Sequence, residues 1–157
     1  MSANLEFLHS DDKPALIAFS TPEWLDTCKA ALTELGYKVH TAATHSDFSV
    51  RYSQVRYHVV LVEHLFGANE PAENLTLRTL QQMSMSQRRH STVVLIGQTF
   101  QTFAPMEAFN NSVHAVINSS ELFMVKQLVE KAVAENNSFL RNFREVQTRV
   151  FTGGTKP

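Results

Sequence analysis

Short apolar runs alternate with helical periodicities along most of this chain. Five runs predict strands, at residues 14–20, 37–43, 57–66, 91–98 and 113–120. The first run contains few polar residues, which is typical of a strand that is covered on both faces. Helical patterns separate the runs, which favours parallel pairing through right-handed crossovers with helices on both faces. The fold prediction is therefore an α/β protein with a doubly wound, five-stranded parallel sheet and an extended C-terminal helix.

The clearest helix signal follows the first run. Ser20 or Thr21 can cap a helix, Pro22 suits its first turn, and Glu23 completes a capping box with Ser20. Gly36 predicts a left-handed stop at the other end. Between them, apolar residues recur at spacings of three and four and predict an inner face. That face consists of Leu25, Cys28, Ala31, Leu32 and Leu35.

The remaining helical patterns divide the chain into segments. A weak helix is predicted at 45–56, a short one at 106–110 and a long one from Ser120 to about Arg149. Another helix is predicted from Asn74 onward, with Leu75, Leu77, Leu80 and Met83 on its inner side. The predicted organisation is a flexible segment at 1–13, a domain at 14–135, a helical extension at 136–150 and a disordered tail at 151–157.

Composition narrows the classes of partner and compartment. The chain has 157 residues and a formal net charge of −1, so no overall field attracts nucleic acid or an anionic membrane. The basic patch "SQRRH" is too small to indicate nucleic-acid binding. The single cysteine cannot form an internal disulfide, which suits a reducing compartment. No apolar run approaches the roughly 20 residues of a membrane span. We expect a cytoplasmic protein without nucleic-acid or membrane partners.

Few residues suggest catalysis or metal binding. Glu63 and His64 could form an acid–base pair, but neighbours on a strand point to opposite faces, so we expect their side chains to diverge. Cys28 lies on a predicted inner helix face, which indicates a core position and not a nucleophile. The seven histidines are scattered without the spacing of a zinc site. No metal and no cofactor are predicted.

The order and spacing of three stretches resemble the receiver domain of bacterial two-component signalling. These stretches are "GYKVHTAATHSDF", "YHVVLVEHLF" and "NNSVHAVINSS", and the resemblance covers about 14–133. It implies five positions for phosphoryl transfer: an acidic pair that helps hold magnesium, an acceptor aspartate, a hydroxyl and a lysine. Matched position by position, these fall on Phe19, Ser20, Glu63, Gly97 and Asn118.

All five of these positions differ from the receiver pattern. Phe19 offers magnesium no ligand, Gly97 has no hydroxyl, and Asn118 carries no charge against developing negative charge. Glu63 also reaches one methylene further than aspartate. The resemblance therefore predicts a pseudo-receiver, which is no enzyme but a protein-interaction module in bacterial signalling that works without phosphoryl transfer. Glu63 would then be at most a fixed negative charge.

Two other readings of the same strand ends stay open. The first is a flavodoxin-like domain that binds a small ligand in the crevice beyond the strands, with Ser20, Thr21, Glu63 and Asn118 as polar contacts. The second is a receiver that keeps residual phosphoryl acceptance at Glu63.

Aromatic residues concentrate after the fourth predicted strand, in the segment "TFQTFAPMEAF". Receivers commonly meet partners through the face made by the fourth helix, fifth strand and fifth helix. The alternative is local core packing, and one or two of these side chains are expected to fill the core. A loop and a two-turn helix can hardly bury all four, so an exposed patch that binds a partner is also predicted. The predicted patch consists of Phe100, Phe103, Met106 and Phe109.

The last helix predicts self-association. Its apolar positions are spaced by four and three, and one polar residue, Asn136, stands at an a position if Val129 is also a. Since the first half must pack on the sheet, only the part from about Ala132 onward is available for a homodimer or a connecting helix. The alternative is a helix that folds back on its own domain. The predicted seam consists of Asn136, Phe139, Phe143, Val146 and Val150.

Overall fold

The protein was analysed as a computed structural model, which describes residues 8, 11–84, 88 and 90–148. Most of the predicted flexible segment at 1–13, the predicted tail at 151–157 and the seam residue Val150 lie outside the described residues.

Within the described residues, five strands form a single parallel sheet in the order β2-β1-β3-β4-β5. The order reverses between β1 and β3, so the loops after these two strands flank the crevice in which doubly wound sheets bind ligands. The predicted fold class is confirmed. The strands are β1 Lys13–Ala18, β2 Tyr37–Ala42, β3 Val59–Glu63, β4 Thr92–Gly97 and β5 Ala115–Asn118.

Helices cover both faces of this sheet. In the part of the chain that the structure describes they are α1 Pro22–Glu34, α2 His45–Gln54, α3 Leu75–Gln82, α4 Pro105–Asn110 and α5 Val125–Thr148. The first and last pack together on one face, and the other three supply the buried side chains of the opposite face. The long predicted helix starts later than expected, because 3-10 turns occupy Ser119–Met124.

Alternation along β1 explains why the sheet has two cores. Ala15 and Ile17 point to the layer of α1 and α5, whereas Leu16 and Ala18 point to the layer of α2, α3 and α4, and all four are fully buried. Each large apolar side chain buried in this way contributes about 1.5–3 kcal/mol. The two layers are the reason that the segment 14–20 has so few polar residues.

The start of α1 differs from the predicted capping box. Thr21 is the N-cap, but its hydroxyl donates to the Glu63 carboxylate, and the Ser20 hydroxyl accepts the amide hydrogen of Gly67. The predicted Ser20–Glu23 box is therefore wrong, because Thr21 is the N-cap and the Ser20 hydroxyl bonds to the loop after β3 instead. The predicted left-handed stop is confirmed at Gly36, where φ is +90°.

Two predicted inner faces can be compared with the observed burial. Cys28 is fully buried, and burial raises the pKa of its thiol to about 12, which suits a core residue and not a nucleophile. On α3, Leu77 and Leu80 are buried as predicted, but Leu75 is exposed. Leu75 lies two residues before Leu77, about 200° around the helix, so it faces away from the buried side.

Candidate functional site

The Glu63 carboxylate, at the acceptor position, is fully engaged by the loop after β1. Its Oε1 accepts the backbone amide hydrogens of Ser20 and Thr21, each at 2.9 Å. Its Oε2 accepts the Thr21 hydroxyl at 3.0 Å. The side chain is buried at the start of α1, where the helix dipole also favours a negative charge. Glu63 thus bonds the ends of β1 and β3 together.

Other bonds hold the loop after β3 in the same place. Asn74 is fully buried, and its side-chain amide donates to the backbone carbonyls of Glu63 and His64 at 3.0 and 3.1 Å. Its Oδ1 caps α3 by accepting the amide hydrogen of Leu77. Gly67 has a left-handed φ of +58° and donates to Ser20 Oγ at 2.9 Å. Both sides of the crevice are therefore held in place by hydrogen bonds within the chain.

The hydroxyl position, Gly97, lies under an aromatic ring. A Cβ at Gly97 would stand 2.9 Å from Cε2 of Phe100 and 3.0 Å from Cβ of His64. The Phe100 and His64 rings are in contact, with centroids 4.6 Å apart. Burial lowers the pKa of His64, although the Glu107 carboxylate opposes this. The space of a Ser or Thr side chain is filled by Phe100, a role that the sequence analysis missed.

The lysine position, Asn118, bonds to its own neighbourhood and not to the crevice. Its Nδ2 donates to the carbonyls of Phe100 at 2.6 Å and Gln98 at 3.3 Å. Its Oδ1 accepts from both the amide and the hydroxyl of Ser120. Asn118 therefore fastens the loop that follows β4 and caps the 3-10 turns that follow β5.

These positions do not fit a magnesium ion. Phe19 is buried in the core and supplies no ligand. The Ser20 hydroxyl accepts from Gly67, and both oxygens of Glu63 accept from the β1–α1 loop. Carboxylate oxygens are the usual protein ligands of magnesium, and here the single carboxylate is already bonded. More broadly, among the described residues no three His, Cys, Asp or Glu side chains converge as a metal site would require.

A cavity of about 290 Å³ opens beside these residues, bounded by Trp24, Leu65, Pro71 and Ile96 among others. Of the four side chains predicted as ligand contacts, Thr21 and Glu63 line it, whereas Ser20 and Asn118 do not. The two that line it bond to each other. The structure therefore does not bring the predicted ligand-binding set together.

The comparisons with known proteins follow this geometry. No family model and no curated protein matches the chain. Solved structures do: a CheY-like receiver domain protein of Methanospirillum hungatei has a TM-score of 0.63 and 16% identity over 82% of this chain and 98% of its own. A response regulator from Thermotoga maritima has a TM-score of 0.60 and 12% identity over 78% and 98%.

The N-terminal domain of a response regulator/sensory box/GGDEF protein from Carboxydothermus hydrogenoformans has a TM-score of 0.59 and 21% identity, over 82% of this chain and 99% of that one. These TM-scores extend over most of this chain and nearly all of each neighbour, so the likeness includes the five-stranded parallel sheet. The chain has the receiver fold. At these identities the likeness extends to the fold alone.

The predicted aromatic patch of this receiver fold is only partly exposed. Phe100 is 6% exposed, so its place in the patch is wrong, because its ring turns back over Gly97. Phe103 is half-buried at a left-handed φ of +62°, with the Lys131 ammonium 4.6 Å from its ring centroid. Met106 and Phe109 are exposed on α4. The exposed part of the patch therefore consists of these two residues.

The predicted seam on α5 also changes. Asn136 is buried, and its Nδ2 donates to Thr92 Oγ1 at the start of β4 at 2.9 Å. Its predicted role as the polar residue of a helix–helix seam is wrong, because it bonds to its own domain. Phe139 and Val146 are exposed farther along the helix. The side chain of Phe143 lies outside the described part of the structure.

His114, at the edge of this face, predicts a pH dependence of stability. Its Nδ1 accepts the amide hydrogen of Val93 at 2.9 Å. Burial, and then the charge of Arg88, lower its pKa from 6.5 to about 4. Between pH 6.5 and about 4, the unfolded chain binds a proton at His114 and the folded chain does not. The contribution of neutral His114 to the free energy of unfolding is therefore complete above about pH 6.5 and is lost as pH falls toward 4.

We expect His114→Gln to flatten this pH dependence. Urea unfolding at about pH 7 and about pH 4.5 measures it, and the wild type should lose more free energy of unfolding between the two than the variant does. Equal losses would show that His114 does not cause the effect.

No helix in the described ranges has both the length and the apolar character that a membrane span requires.

Proposed function

We propose that this chain is a regulatory module of receiver fold that acts through protein contacts and without phosphoryl transfer. The observation that carries the proposal is the bonding of Glu63. Two backbone amides and one hydroxyl of the β1–α1 loop donate hydrogen bonds to its carboxylate, at 2.9–3.0 Å. In this role the carboxylate is a structural tie between β1 and β3.

The bonding of Glu63 opposes its use as a nucleophile. A bond from either oxygen to phosphorus would remove the carboxylate's charge and weaken the hydrogen bonds it accepts, from two backbone amides at Oε1 and the Thr21 hydroxyl at Oε2. Each hydrogen bond to a charged group contributes about 1.5–3 kcal/mol, and the released donors would lie in a largely buried site. That cost would be added to the chemical barrier of the transfer.

None of the other four receiver positions carries a positive charge, since they are Phe19, Ser20, Gly97 and Asn118. Phosphoryl transfer is accelerated chiefly by cations and donors placed against the developing charge. Here Asn118 donates to backbone carbonyls, and the Phe100 ring occupies the space beside Gly97. The acceptor, the hydroxyl and the lysine positions have thus all acquired structural roles.

The interaction half of the proposal rests on the face formed by α4, β5 and α5. Met106, Phe109 and Phe139 are exposed there, although large apolar side chains are costly to leave in water. Side chains of this kind characterise the centres of protein interfaces.

The absence of phosphoryl transfer is tested by incubation with magnesium and acetyl phosphate, followed by intact mass measurement. We expect no added phosphoryl mass on the wild type. A receiver with an aspartate acceptor, treated in parallel, shows that the reagent is active. Glu63→Gln is the matched control, because it removes the acceptor carboxylate at similar volume. A phosphoryl group that appears on the wild type and is absent from Glu63→Gln would overturn the proposal.

A further inference from the structure

The cavity of about 290 Å³ lies outside the carboxyl ends of β3 and β4, beside the receiver positions. The start of α1, the loop after β3 and the loop after β4 form its walls. Its volume is near the lower end of the range of about 300–1,000 Å³ that is typical of small-molecule sites. A cavity of this size suits a ligand with a single ring.

Much of the wall of this cavity is apolar. Ile96 is buried at the end of β4, Trp24 is half-buried, and Leu65 is exposed. Pro71 lines the cavity from the loop after β3. Trp24 also packs against the core layer of α1 and α5, so part of its side chain is held in place by the domain. The cavity thus offers a ligand apolar surface that includes the only indole of the chain.

The charged side chains that line the cavity are negative. Glu63 and Glu70 line it, and among the described lining residues there is neither Lys nor Arg. Burial lowers the pKa of His64, the other titratable residue of the wall, so its imidazole is mainly neutral at about pH 7. The first turn of α1 supplies a partial positive charge of about one half, which does not cancel two carboxylates. The cavity therefore favours a cation.

The Glu63 carboxylate has the capacity to accept one more hydrogen bond. Each carboxylate oxygen can accept about two. Oε1 accepts two, from the amides of Ser20 and Thr21, whereas Oε2 accepts one, from the Thr21 hydroxyl. All three donors are neutral groups, and both Thr21 and Glu63 line the cavity. A single ammonium group could therefore form a charge-assisted hydrogen bond with Oε2 without displacing the bonds to the β1–α1 loop.

We propose that the cavity binds a small organic cation, an amine whose ammonium group donates to Glu63 and whose single flat ring lies against Trp24, Leu65 and Pro71. An indole is the best aromatic partner of a cation, so Trp24 suits both parts of such a ligand. The proposal goes beyond the proposed function, because it assigns a ligand to a chain that is inferred to act through protein contacts. It rests on this cavity and not on the face formed by α4, β5 and α5.

An anion and a metal ion fit the same cavity less well. A phosphate or carboxylate would enter beside Glu63 and Glu70, with no Lys or Arg in the described part of the wall to offset the repulsion. Magnesium requires about six oxygen ligands at once, and the Glu63 carboxylate already accepts three hydrogen bonds. An organic ammonium group requires few acceptors, and its apolar part gains from contact with a wall that an ion would leave unused.

The first experiment compares three probes that differ in charge: phenethylamine, its neutral counterpart phenethyl alcohol, and the anion phenylacetate. Trp24 is the only tryptophan, so its fluorescence reports occupancy of the cavity, and calorimetry gives the dissociation constants. At about pH 7 we expect the amine to bind about 10-fold or more tightly than the alcohol, and phenylacetate to bind more weakly than either. Equal affinities of the amine and the alcohol, or no change of fluorescence with the amine, would overturn the proposal.

The second experiment changes the charge of the cavity at an exposed position. Leu65→Lys should leave the fold intact and weaken binding of phenethylamine about 10-fold or more, whereas Leu65→Glu, which loses the same leucine, should bind the amine more tightly than Leu65→Lys does. Leu75→Lys is the matched control, because Leu75 is 54% exposed and Leu65 40%, and Leu75 does not line the cavity. Equal affinities of Leu65→Lys and Leu75→Lys would refute the assignment of the site.

Glu63→Gln tests the contact with the ammonium group. The variant keeps the volume of the side chain but removes its charge, so it should weaken phenethylamine about 10–100-fold and change the affinity for phenethyl alcohol by less than about 2-fold. Circular dichroism melts check that each variant remains folded. An unchanged affinity of folded Glu63→Gln for the amine would contradict the proposal. Since the acetyl phosphate test is separate, a wild type that binds no amine and accepts no phosphoryl group would refute the ligand and leave the proposed function in place.

Discussion

Replacing Phe100 with alanine is expected to lower the free energy of unfolding by about 3–5 kcal/mol. The ring is 6% exposed and packs against His64 and over Gly97, so its removal would leave a cavity at the carboxyl end of β4. Urea unfolding followed by circular dichroism measures the change. Phe109→Ala is the control, because Phe109 lies on the surface of α4 and should change stability by less than about 0.5 kcal/mol.

The same ring explains the glycine at position 97, and a double-mutant cycle can show it. Gly97 lies in a strand, so space and not backbone conformation limits a side chain there. Gly97→Ser alone should cost about 1–3 kcal/mol through overpacking. In the Phe100→Ala background the serine has room, and the cost should become smaller. Additive costs in the two backgrounds would contradict a direct competition between the ring and a side chain at 97.

Replacing Glu63 with alanine is expected to destabilise the protein by about 2–4 kcal/mol, the second largest effect. The change removes an acceptor from two backbone amides and one hydroxyl, all in a site that is largely shielded from water. Glu63→Gln should cost less, about 1–2 kcal/mol, because it keeps one carbonyl oxygen but loses the charge at the start of α1.

Glu63→Asp separates the effect of side-chain length on stability from the effect of the negative charge. An aspartate keeps the charge but is one methylene shorter, so it should bond the Ser20 and Thr21 amides less well than glutamate does. We expect its stability to fall between that of the wild type and that of Glu63→Ala. Thermal melts of the three variants provide the ranking. A stability of Glu63→Ala equal to that of the wild type would show that the tie between β1 and β3 contributes nothing.

The fold could be predicted from the sequence because its signals are local and repeated. The buried runs, the left-handed stop at Gly36 and the inner positions Cys28, Leu77 and Leu80 all follow from spacing and residue type. These signals depend on which side of a helix faces the sheet and on the helices that cover the sheet on both faces. The strand ends could be located in the same way, and the resemblance to receivers assigned five positions to them.

The side-chain partners at the strand ends could not be predicted. The direction of Phe100 depends on the path of the loop after β4, which includes the left-handed Phe103. Asn136 fits a helical seam by spacing, yet the position of Thr92, 44 residues away, decides its bond. Such contacts depend on how distant segments meet.

The packing of Phe100 over Gly97 has a consequence for how this site could change over generations. A serine at 97 meets the ring, and loss of the ring alone leaves a cavity, so each single change toward a receiver's hydroxyl lowers stability. A shorter acid at 63 likewise loosens the β1–α1 loop before any magnesium site exists to benefit. Each of these substitutions therefore depends on the others, and a route from this site to a receiver's residues passes through proteins that are less stable. Stability selection alone would then be enough to keep the site in its present form.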